Sequence, residues 1–214
     1  MLQGILDPQP GKLVFAIFDG DKKLHQAECV MQPRDASVMP DFVAGELAKC
    51  GYVLENITRW TFGAGPGSFT FLRVAAALGA GWAAGNDKIR FRCLPGAPAL
   101  AGALNPAEGE TVGVIYDGRN KELLCFTVKC SGGKLLPAGE ELILTATAAE
   151  EYFAGNSMRL VTFAKDAPAL TALLGDRIAF TVAEADLSVL ANSDAPFDND
   201  ADKMVYIRPA VAGK

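Results

Sequence analysis

The stretch Gly63-Ala64-Gly65-Pro66-Gly67-Ser68-Phe69-Thr70 decides the fold of this chain of 214 residues. A short apolar run, Trp60 to Phe62, precedes it, and an alanine-rich helical pattern follows it from about Thr70 to Ala84. Glycines allow backbone angles that other residues avoid, so the pattern predicts a strand that enters a tight turn. The turn then delivers Ser68 or Thr70 as the N-cap of a helix. A strand, a tight turn and a helix in succession are typical of the α/β class.

The same loop is the candidate binding site for an anion or a nucleotide. Backbone N–H groups at the start of a helix attract negative charge, and the helix dipole adds to that attraction. The candidate residues are Gly65, Gly67, Ser68 and Thr70. The loop contains neither G-K-[ST] nor G-x-G-x-x-G, so it matches neither established phosphate-binding motif. From the residues alone, a capped turn that binds nothing remains the alternative.

Upstream and downstream of the loop, the first half of the chain alternates apolar runs with turn formers. A helix from about Asp41 to Cys50 is predicted to end at Gly51 in the C-cap position. The remaining predicted elements are three antiparallel strands at Leu2–Leu6, Leu13–Phe18 and Lys23–Met31, a strand at Ile89–Leu94 and a helix at Pro98–Leu104. Antiparallel strands that continue into parallel ones through crossover helices indicate an α/β unit.

The second half begins like the first, so we expect two similar α/β domains, residues 1–105 and 106–214. Asp117-Gly118-Arg119-Asn120 is a turn between two predicted strands of a hairpin. The predicted strands are Thr111–Tyr116, Glu122–Lys129, Leu135–Leu144, Arg159–Phe163 and Ile178–Thr181, and the helices are Ala146–Phe153 and Ala167–Leu174. The closing segment Met204–Ile207 is predicted as a strand or an extended tail.

Composition excludes several classes of function. The net charge is -5 and the basic residues are scattered, whereas a protein that holds RNA by itself usually clusters them. The chain has five cysteines without a C-x-x-C pair and one histidine, His25, so neither a zinc site nor a Ser–His–Asp or Cys–His catalytic set is expected. We expect reduced thiols in a cytoplasmic protein that does not span a membrane.

The loop and its surroundings resemble the TsaB/YeaZ family. Residues 63–73 are similar to the family signature G-x-G-P-G-S-F-T-G-L-R, and Gly4-Ile5-Leu6-Asp7 resembles its first strand. The segment Met204-Val205-Tyr206-Ile207-Arg208-Pro209 resembles the terminal element of the family. The resemblance implies an actin-like, ribonuclease-H-like (ASKHA) fold with two similar α/β subdomains.

For function, the resemblance implies a non-catalytic partner subunit in the synthesis of threonylcarbamoyladenosine on tRNA. Such a subunit docks on a TsaD-type transferase and activates it, with a TsaE-type ATPase as a further candidate partner and a homodimer when alone. Contact with tRNA would be indirect. No protease or transferase activity is expected, because the TsaD metal site needs an H-x-x-x-H pair and this chain has one histidine. No metal is implied, and the only implied cofactor is ATP or ADP at or near the interface of the complex.

The resemblance places the partner interface on the helices of the first domain. Small residues let a second helix approach closely. The candidate interface residues are Phe42, Leu47, Arg73, Val74, Ala75, Leu78, Gly79 and Trp82. Packing of these residues on the chain's own sheet is the alternative.

Three positions depart from the family pattern. Phe71 stands where the family has Gly, Ala80 where it has Lys, and Pro8 follows Asp7 where it has Thr. Proline lacks a backbone N–H, which weakens the case for a nucleotide in the first domain. Two rival functions therefore stay open: a nucleotide-binding ASKHA-type phosphotransferase, and a self-associating remnant without a partner.

Overall fold

The computed structural model describes residues 1–32 and 35–203, so the strand or extended tail predicted at Met204–Ile207 lies outside the described residues. The strands are β1 (Leu2–Gln9), β2 (Lys12–Asp19), β3 (Lys22–Val30), β4 (Arg59–Gly63), β5 (Arg90–Leu94), β6 (Thr111–Arg119), β7 (Glu122–Ser131), β8 (Lys134–Pro137), β9 (Leu142–Thr145), β10 (Arg159–Thr162) and β11 (Thr181–Val182). The helices are α1 (Met39–Lys49), α2 (Phe69–Gly85), α3 (Ala97–Gly102), α4 (Ala146–Gly155), α5 (Ala167–Leu174) and α6 (Leu187–Ala191), with short 3₁₀ turns at Asp35–Val38, Leu54–Asn56 and Gly175–Arg177. Within this described part, no helix is both long and apolar enough to cross a membrane.

The first unit holds a five-stranded sheet in the order β3-β2-β1-β4-β5. The strands β1, β2 and β3 form the expected antiparallel meander, while β4 and β5 run parallel to β1. Parallel neighbours require crossover connections, and α2 supplies the one between β4 and β5. Tight turns at Gly11 (φ +79°) and Gly20 (φ +56°) join the meander strands.

The second unit repeats this topology. Its main path is β11-β10-β6-β7-β8, in which β6 and β7 are antiparallel and β10 and β11 are parallel to β6. The order of the elements along the chain therefore matches in the two sheets, and the predicted repeat of one α/β unit is confirmed.

The compact units do not divide the chain where the domain prediction placed the boundary, at 105/106. One unit comprises Met1–Gly96 and the described residues from Leu190 onward, and the other comprises Ala97–Val189. The helix α3 lies in the second unit, where the carbonyl of Ala99 accepts a hydrogen bond from the N–H of Asp186 (2.8 Å). The chain after α6 returns to β5, where the N–H of Asn199 donates to the carbonyl of Phe91 (2.9 Å). Such a return depends on contacts far apart in sequence, so local patterns do not reveal it.

The predicted strand Leu135–Leu144 is wrong as one continuous element. Both β8 and β9 pair antiparallel with β7 and run in the same direction along it, but residues 138–141 bulge out between them. Gly139 lies in this bulge with φ +80°, which favours glycine. The predicted strand Ile178–Thr181 is likewise corrected, because β11 has only two residues and Ile178 belongs to the buried core.

The core of the first unit lies between its sheet and the helices α1 and α2. Trp60, Phe62 and Phe91 are buried there, and the Trp82 ring of α2 packs on Trp60 with a centroid distance of 4.6 Å. Phe71, the residue that departs from the family pattern, is 5% exposed and belongs to the same core. The substitution therefore adds buried apolar surface at the start of α2.

Candidate functional site

The glycine-rich loop lies at the carboxyl end of the first sheet, where β1, β4 and β5 end side by side. Two backbone hydrogen bonds fasten it there: the N–H of Ala64 donates to the carbonyl of Leu94 (2.6 Å), and the N–H of Gly96 donates to the carbonyl of Gly65 (2.8 Å). Gly65 has φ +98°, and the bond between Gly65 and Pro66 is cis. The predicted strand–turn–helix is confirmed, and its glycine at position 65 is required by the backbone.

Asp7 lies beneath this loop. A Cβ atom at Gly63 would come within 1.8 Å of the Oδ1 atom of Asp7, and one at Gly67 would come within 3.0 Å of the carbonyl oxygen of Pro8. Glycine at these two positions therefore allows the loop to close directly over the end of β1. Pro8 is accommodated because the pairing of β1 with β4 ends at Leu6.

The electrostatics beneath the loop are those of a buried acid. Asp7 is 3% exposed, and burial raises its pKa to about 6 against the lowering effects of its hydrogen bond to Gln9 and the charge of Lys12. The Nε2 atom of Gln9 donates to the Oδ2 atom of Asp7 (2.7 Å). The Oε1 atom of Gln9 is buried and has no hydrogen-bond partner. Asp7 and Gln9 are not among the predicted site residues. The signal for them in the sequence is their spacing of two in β1, which places both side chains on one face of the strand.

The four candidate anion-binding residues differ in their exposure to solvent. Gly65 is buried and its carbonyl faces Gly96, while Gly67 is half-buried. Ser68 occupies the N-cap position of α2 as predicted, but its side chain makes no capping hydrogen bond. Ser68 and Thr70 are exposed. The four residues therefore do not form one enclosed pocket.

The candidate interface residues fall on two sides of the helices. Leu47 and Ala75 are buried at 2% and 0% exposure, and a Cβ atom at Gly79 would lie 2.6 Å from the Cε2 atom of Phe62. Ala75 and Gly79 face the chain's own sheet, so their assignment to a partner interface is corrected: they hold the unit together. Leu47 packs in the same core and also lines the groove described below. Phe42, Val74, Leu78 and Trp82 are half-buried, and Arg73 is exposed.

The exposed face of α2 consists of other small residues. Ala77, Ala80, Gly81 and Ala84 are exposed and recur at helical spacing. A Cβ atom at Gly81 would have no neighbour within 4 Å. Of the predicted interface residues on α2, the two small ones, Ala75 and Gly79, pack inward, whereas the small residues that face outward were not among the predicted ones.

An apolar groove of about 290 Å³ lies beside this face. Trp82 of α2 forms one wall, and the other walls come from α1 and the segment that follows it. Val53 at its rim is 58% exposed. The lining residues are Pro40, Val43, Ala44, Leu47, Ala48, Tyr52, Val53, Leu54 and Trp82. We call this groove together with Ala77, Ala80, Gly81 and Ala84 the helical surface.

The single histidine is held by a carboxylate. The Nε2 atom of His25 on β3 lies 2.8 Å from the Oε2 atom of Glu46 on α1, and Lys49 donates to the other oxygen of Glu46 (2.5 Å). The hydrogen bonds from Lys49 and His25 keep the pKa of Glu46 below its ordinary value. Among residues 1–32 and 35–203 there is no group of three or more His, Cys, Asp or Glu side chains placed to hold a metal ion.

The hairpin tip of the second unit shows the turn chemistry predicted for it. Arg119, Asn120 and Lys121 all have positive φ, and the Oδ1 atom of Asp117 accepts the N–H of Arg119 (2.9 Å). Burial, together with the charge of Asp117, raises the pKa of Asp166 to about 6. These contacts account for the polar residues of the tip as parts of a turn.

Comparison with protein-family models finds no match for the sequence, and comparison with curated proteins finds none either. Comparison with solved structures finds proteins with a similar fold. A protein from Pseudomonas aeruginosa described as similar to peptidase YeaZ has a TM-score of 0.69 at 19% identity, with 89% of this chain and 88% of that chain covered. YeaZ from Pseudomonas aeruginosa has a TM-score of 0.68 at 19% identity, with 89% of both chains covered.

A more distant likeness is to the ethanolamine utilization protein EutJ from Carboxydothermus hydrogenoformans, with a TM-score of 0.50 at 12% identity over 89% of this chain and 87% of that chain. The two-sheet topology and these likenesses together show that the chain has the actin-like (ASKHA) fold that YeaZ also has.

Proposed function

We propose that this chain is a non-catalytic subunit that docks on a TsaD-type transferase and activates it for threonylcarbamoyladenosine synthesis on tRNA. The observation that carries the proposal is the helical surface, which combines small exposed residues on α2 with an apolar groove next to α1. The likeness of the fold to YeaZ and the resemblance of residues 63–73 to the family signature support the same role.

Docking through this surface depends on close packing of two helices. Two helices approach to about 8 Å only where the facing residues are small. Ala77, Ala80, Gly81 and Ala84 present such a face, and the groove beside it can take a large apolar side chain of the partner helix. Such an arrangement would bury apolar surface that the isolated chain leaves in water.

The test is light scattering after size-exclusion chromatography, with this chain alone and mixed with the TsaD-type protein of the same genome. We expect a heterodimer with the partner. Gly81→Arg should abolish it, because the side chain would project from the middle of the helical surface without disturbing the fold. Gly155→Arg is the matched control, since Gly155 also has open space around its Cα but ends α4 in the second unit.

Two outcomes would overturn the proposal. One is separate species in the mixture even with ATP and tRNA present. The other is a heterodimer that Gly81→Arg leaves intact. If the chain forms a homodimer but no heterodimer, the self-associating remnant is favoured. The phosphotransferase alternative would require that the isolated chain transfers a phosphoryl group. We further propose that the protein acts in the cytoplasm, where tRNA is modified.

A further inference from the structure

We propose that the amino ends of β4 and β5 form a binding site for a dianionic phosphate group, held by the guanidinium groups of Arg59 and Arg90. Each arginine begins its strand, so the site lies at the opposite end of the sheet from the glycine-rich loop. The neighbouring residues Trp60 and Phe91 pack into the core that α1 and α2 cover, so strand alternation places both arginines on the other face. The site is therefore independent of the docking function and of the helical surface.

Strand register places the two arginines side by side. Arg59 and Arg90 are partners in the parallel pairing of β4 with β5, and neighbouring strands lie about 4.8 Å apart. Two residues further along, the partners Thr61 and Arg92 share a side-chain hydrogen bond of 2.9 Å. Because side chains alternate along a strand, Arg59 and Arg90 lie on that same face. The pairing thus brings together two positive charges that are far apart in sequence.

These two charges have no acidic partner in the described part of the chain. Among residues 1–32 and 35–203, neither Arg59 nor Arg90 forms an ion pair with a carboxylate. Both side chains are exposed, and the Nη1 group of Arg90 donates to the carbonyls of Asp87 and Ile89 at 2.8 and 3.2 Å. Two like charges on adjacent strands repel each other, so an anion between them would relieve that repulsion.

The ring of Phe197 positions one of the two guanidinium groups. The Cζ atom of Arg59 lies 5.3 Å from the ring centroid, and the Cζ atom of the buried Arg92 lies 4.2 Å from the same centroid. Both distances are typical of cation–π contacts. Burial and, to a smaller extent, the charge of Arg59 lower the pKa of Arg92 to about 10. The guanidinium of Arg59 is thus held against an aromatic surface before any ligand binds, which lowers the entropic cost of binding.

Two adjacent guanidinium groups select a particular kind of anion. Each presents N–H groups in a planar fork that matches a pair of oxygens. A carboxylate has only one such pair and a single charge, whereas a terminal phosphate offers three oxygens and about two negative charges. RNA is disfavoured, because its phosphates are singly charged diesters in a long polyanion and this chain has a net charge of -5. Inorganic phosphate and a phosphate monoester share the required chemistry, and the experiment separates them.

The test is an NMR titration of the full chain that follows the guanidinium Nε–H resonances of Arg59 and Arg90. Inorganic phosphate, methyl phosphate, dimethyl phosphate or acetate is added at neutral pH and constant ionic strength. We expect saturable shifts with inorganic phosphate, methyl phosphate or both. Dimethyl phosphate and acetate should bind about tenfold more weakly or less, because each carries one charge and one pair of oxygens.

Substitutions locate the binding on the two arginines. Arg59→Gln and Arg90→Gln should each weaken phosphate binding about tenfold or more, followed on the resonance of the remaining arginine. Arg59→Lys should also weaken binding, because lysine keeps the charge and loses the fork. Arg177→Gln is the control, since it removes the same charge from an exposed arginine of the second unit and should leave binding unchanged. Circular dichroism checks that each variant is folded.

The outcomes distinguish the two sources of phosphate. Saturable shifts with inorganic phosphate alone would identify the free anion as the ligand, and methyl phosphate that binds equally well or more tightly would identify a phosphate monoester. The proposal is overturned if no added anion gives a saturable shift of either resonance, or if acetate or dimethyl phosphate binds as tightly as phosphate. It is also overturned if Arg177→Gln weakens binding as much as Arg59→Gln does.

Discussion

The guanidinium of Arg92 donates its Nε–H to the Oγ1 atom of Thr61 at 2.9 Å inside the first unit. Its other nitrogens donate to the carbonyls of Leu190, Ala191, Ser193 and Ala195 at 2.7–3.1 Å. The centroid of the Phe197 ring lies 4.2 Å from the Cζ atom of Arg92. One 2% exposed arginine on β5 therefore fastens the last residues of α6 and the chain that follows them to the first sheet.

Arg92→Met should destabilise the first unit by about 3 kcal/mol or more, because it leaves Thr61 and several carbonyls without their donor. The measurement is urea unfolding followed by circular dichroism. Arg90→Met, two residues earlier on the same strand, is the control and should change stability by about 0.5 kcal/mol or less, because Arg90 is exposed and donates only to two nearby carbonyls. Equal effects of the two substitutions would contradict the fastening role.

Substitution of alanine for either of two glycines in α2 should change the stability of the fold in opposite directions. Gly79→Ala should lower stability by about 1–3 kcal/mol, because the new methyl group would lie 2.6 Å from the Phe62 ring and 3.1 Å from Phe91. Gly81→Ala should raise stability by about 0.5–1 kcal/mol, because alanine favours the helix and the site is open. Thermal unfolding of both variants beside the wild type makes the comparison. A stabilising Gly79→Ala would show that α2 does not pack on the sheet through this glycine.

The pairing of the sole histidine predicts sensitivity to acid. Glu46 has a pKa below its ordinary value, so its interactions stabilise the fold above the pKa of the unfolded chain and are lost as pH falls through the folded pKa. Glu46→Gln should therefore be less stable than the wild type at pH 7, and the difference should shrink below about pH 4. Urea unfolding across this range measures it. A difference that does not change with pH would mean that the charge of Glu46 is not involved.

Local patterns predicted most of the first unit. The meander, the helix that Gly51 (φ +75°) ends and the strand–turn–helix around Gly65 all depend on residues close in sequence, and all are present. The repeat in the second unit was visible for the same reason. What depends on distant contacts was not predictable: the return of the chain to Arg92, and the bulge at Gly139 between β8 and β9.

The site was predicted only in part, because sequence shows which residues a helix carries but not its rotation. For α2 the small residues were identified, yet Ala75 and Gly79 face inward while Ala77 and Gly81 face outward. A large side chain at Gly79, a predicted interface residue, would therefore disturb folding and would not test docking. The burial of Asp7 also depends on a loop that begins more than fifty residues later in the sequence, which periodicity in β1 does not show.

Asp7 gives the final prediction, a loss of stability with rising pH. Its pKa is about 6 in the folded chain, against an ordinary value of 3.8, so the folded state binds more protons between these values and stability falls as pH rises through them. The difference corresponds to about 3 kcal/mol at neutral pH.

Asp7→Asn should be as stable as the wild type near pH 4 and more stable by up to about 3 kcal/mol above pH 7, measured by urea unfolding in tetramethylammonium buffer. Asp166, whose pKa is also about 6, is present in both proteins and cancels in this comparison. A stability difference that stays constant from pH 4 to pH 8 would mean that Asp7 does not hold its proton in the folded chain, and that its burial beneath Gly63 is compensated by a donor.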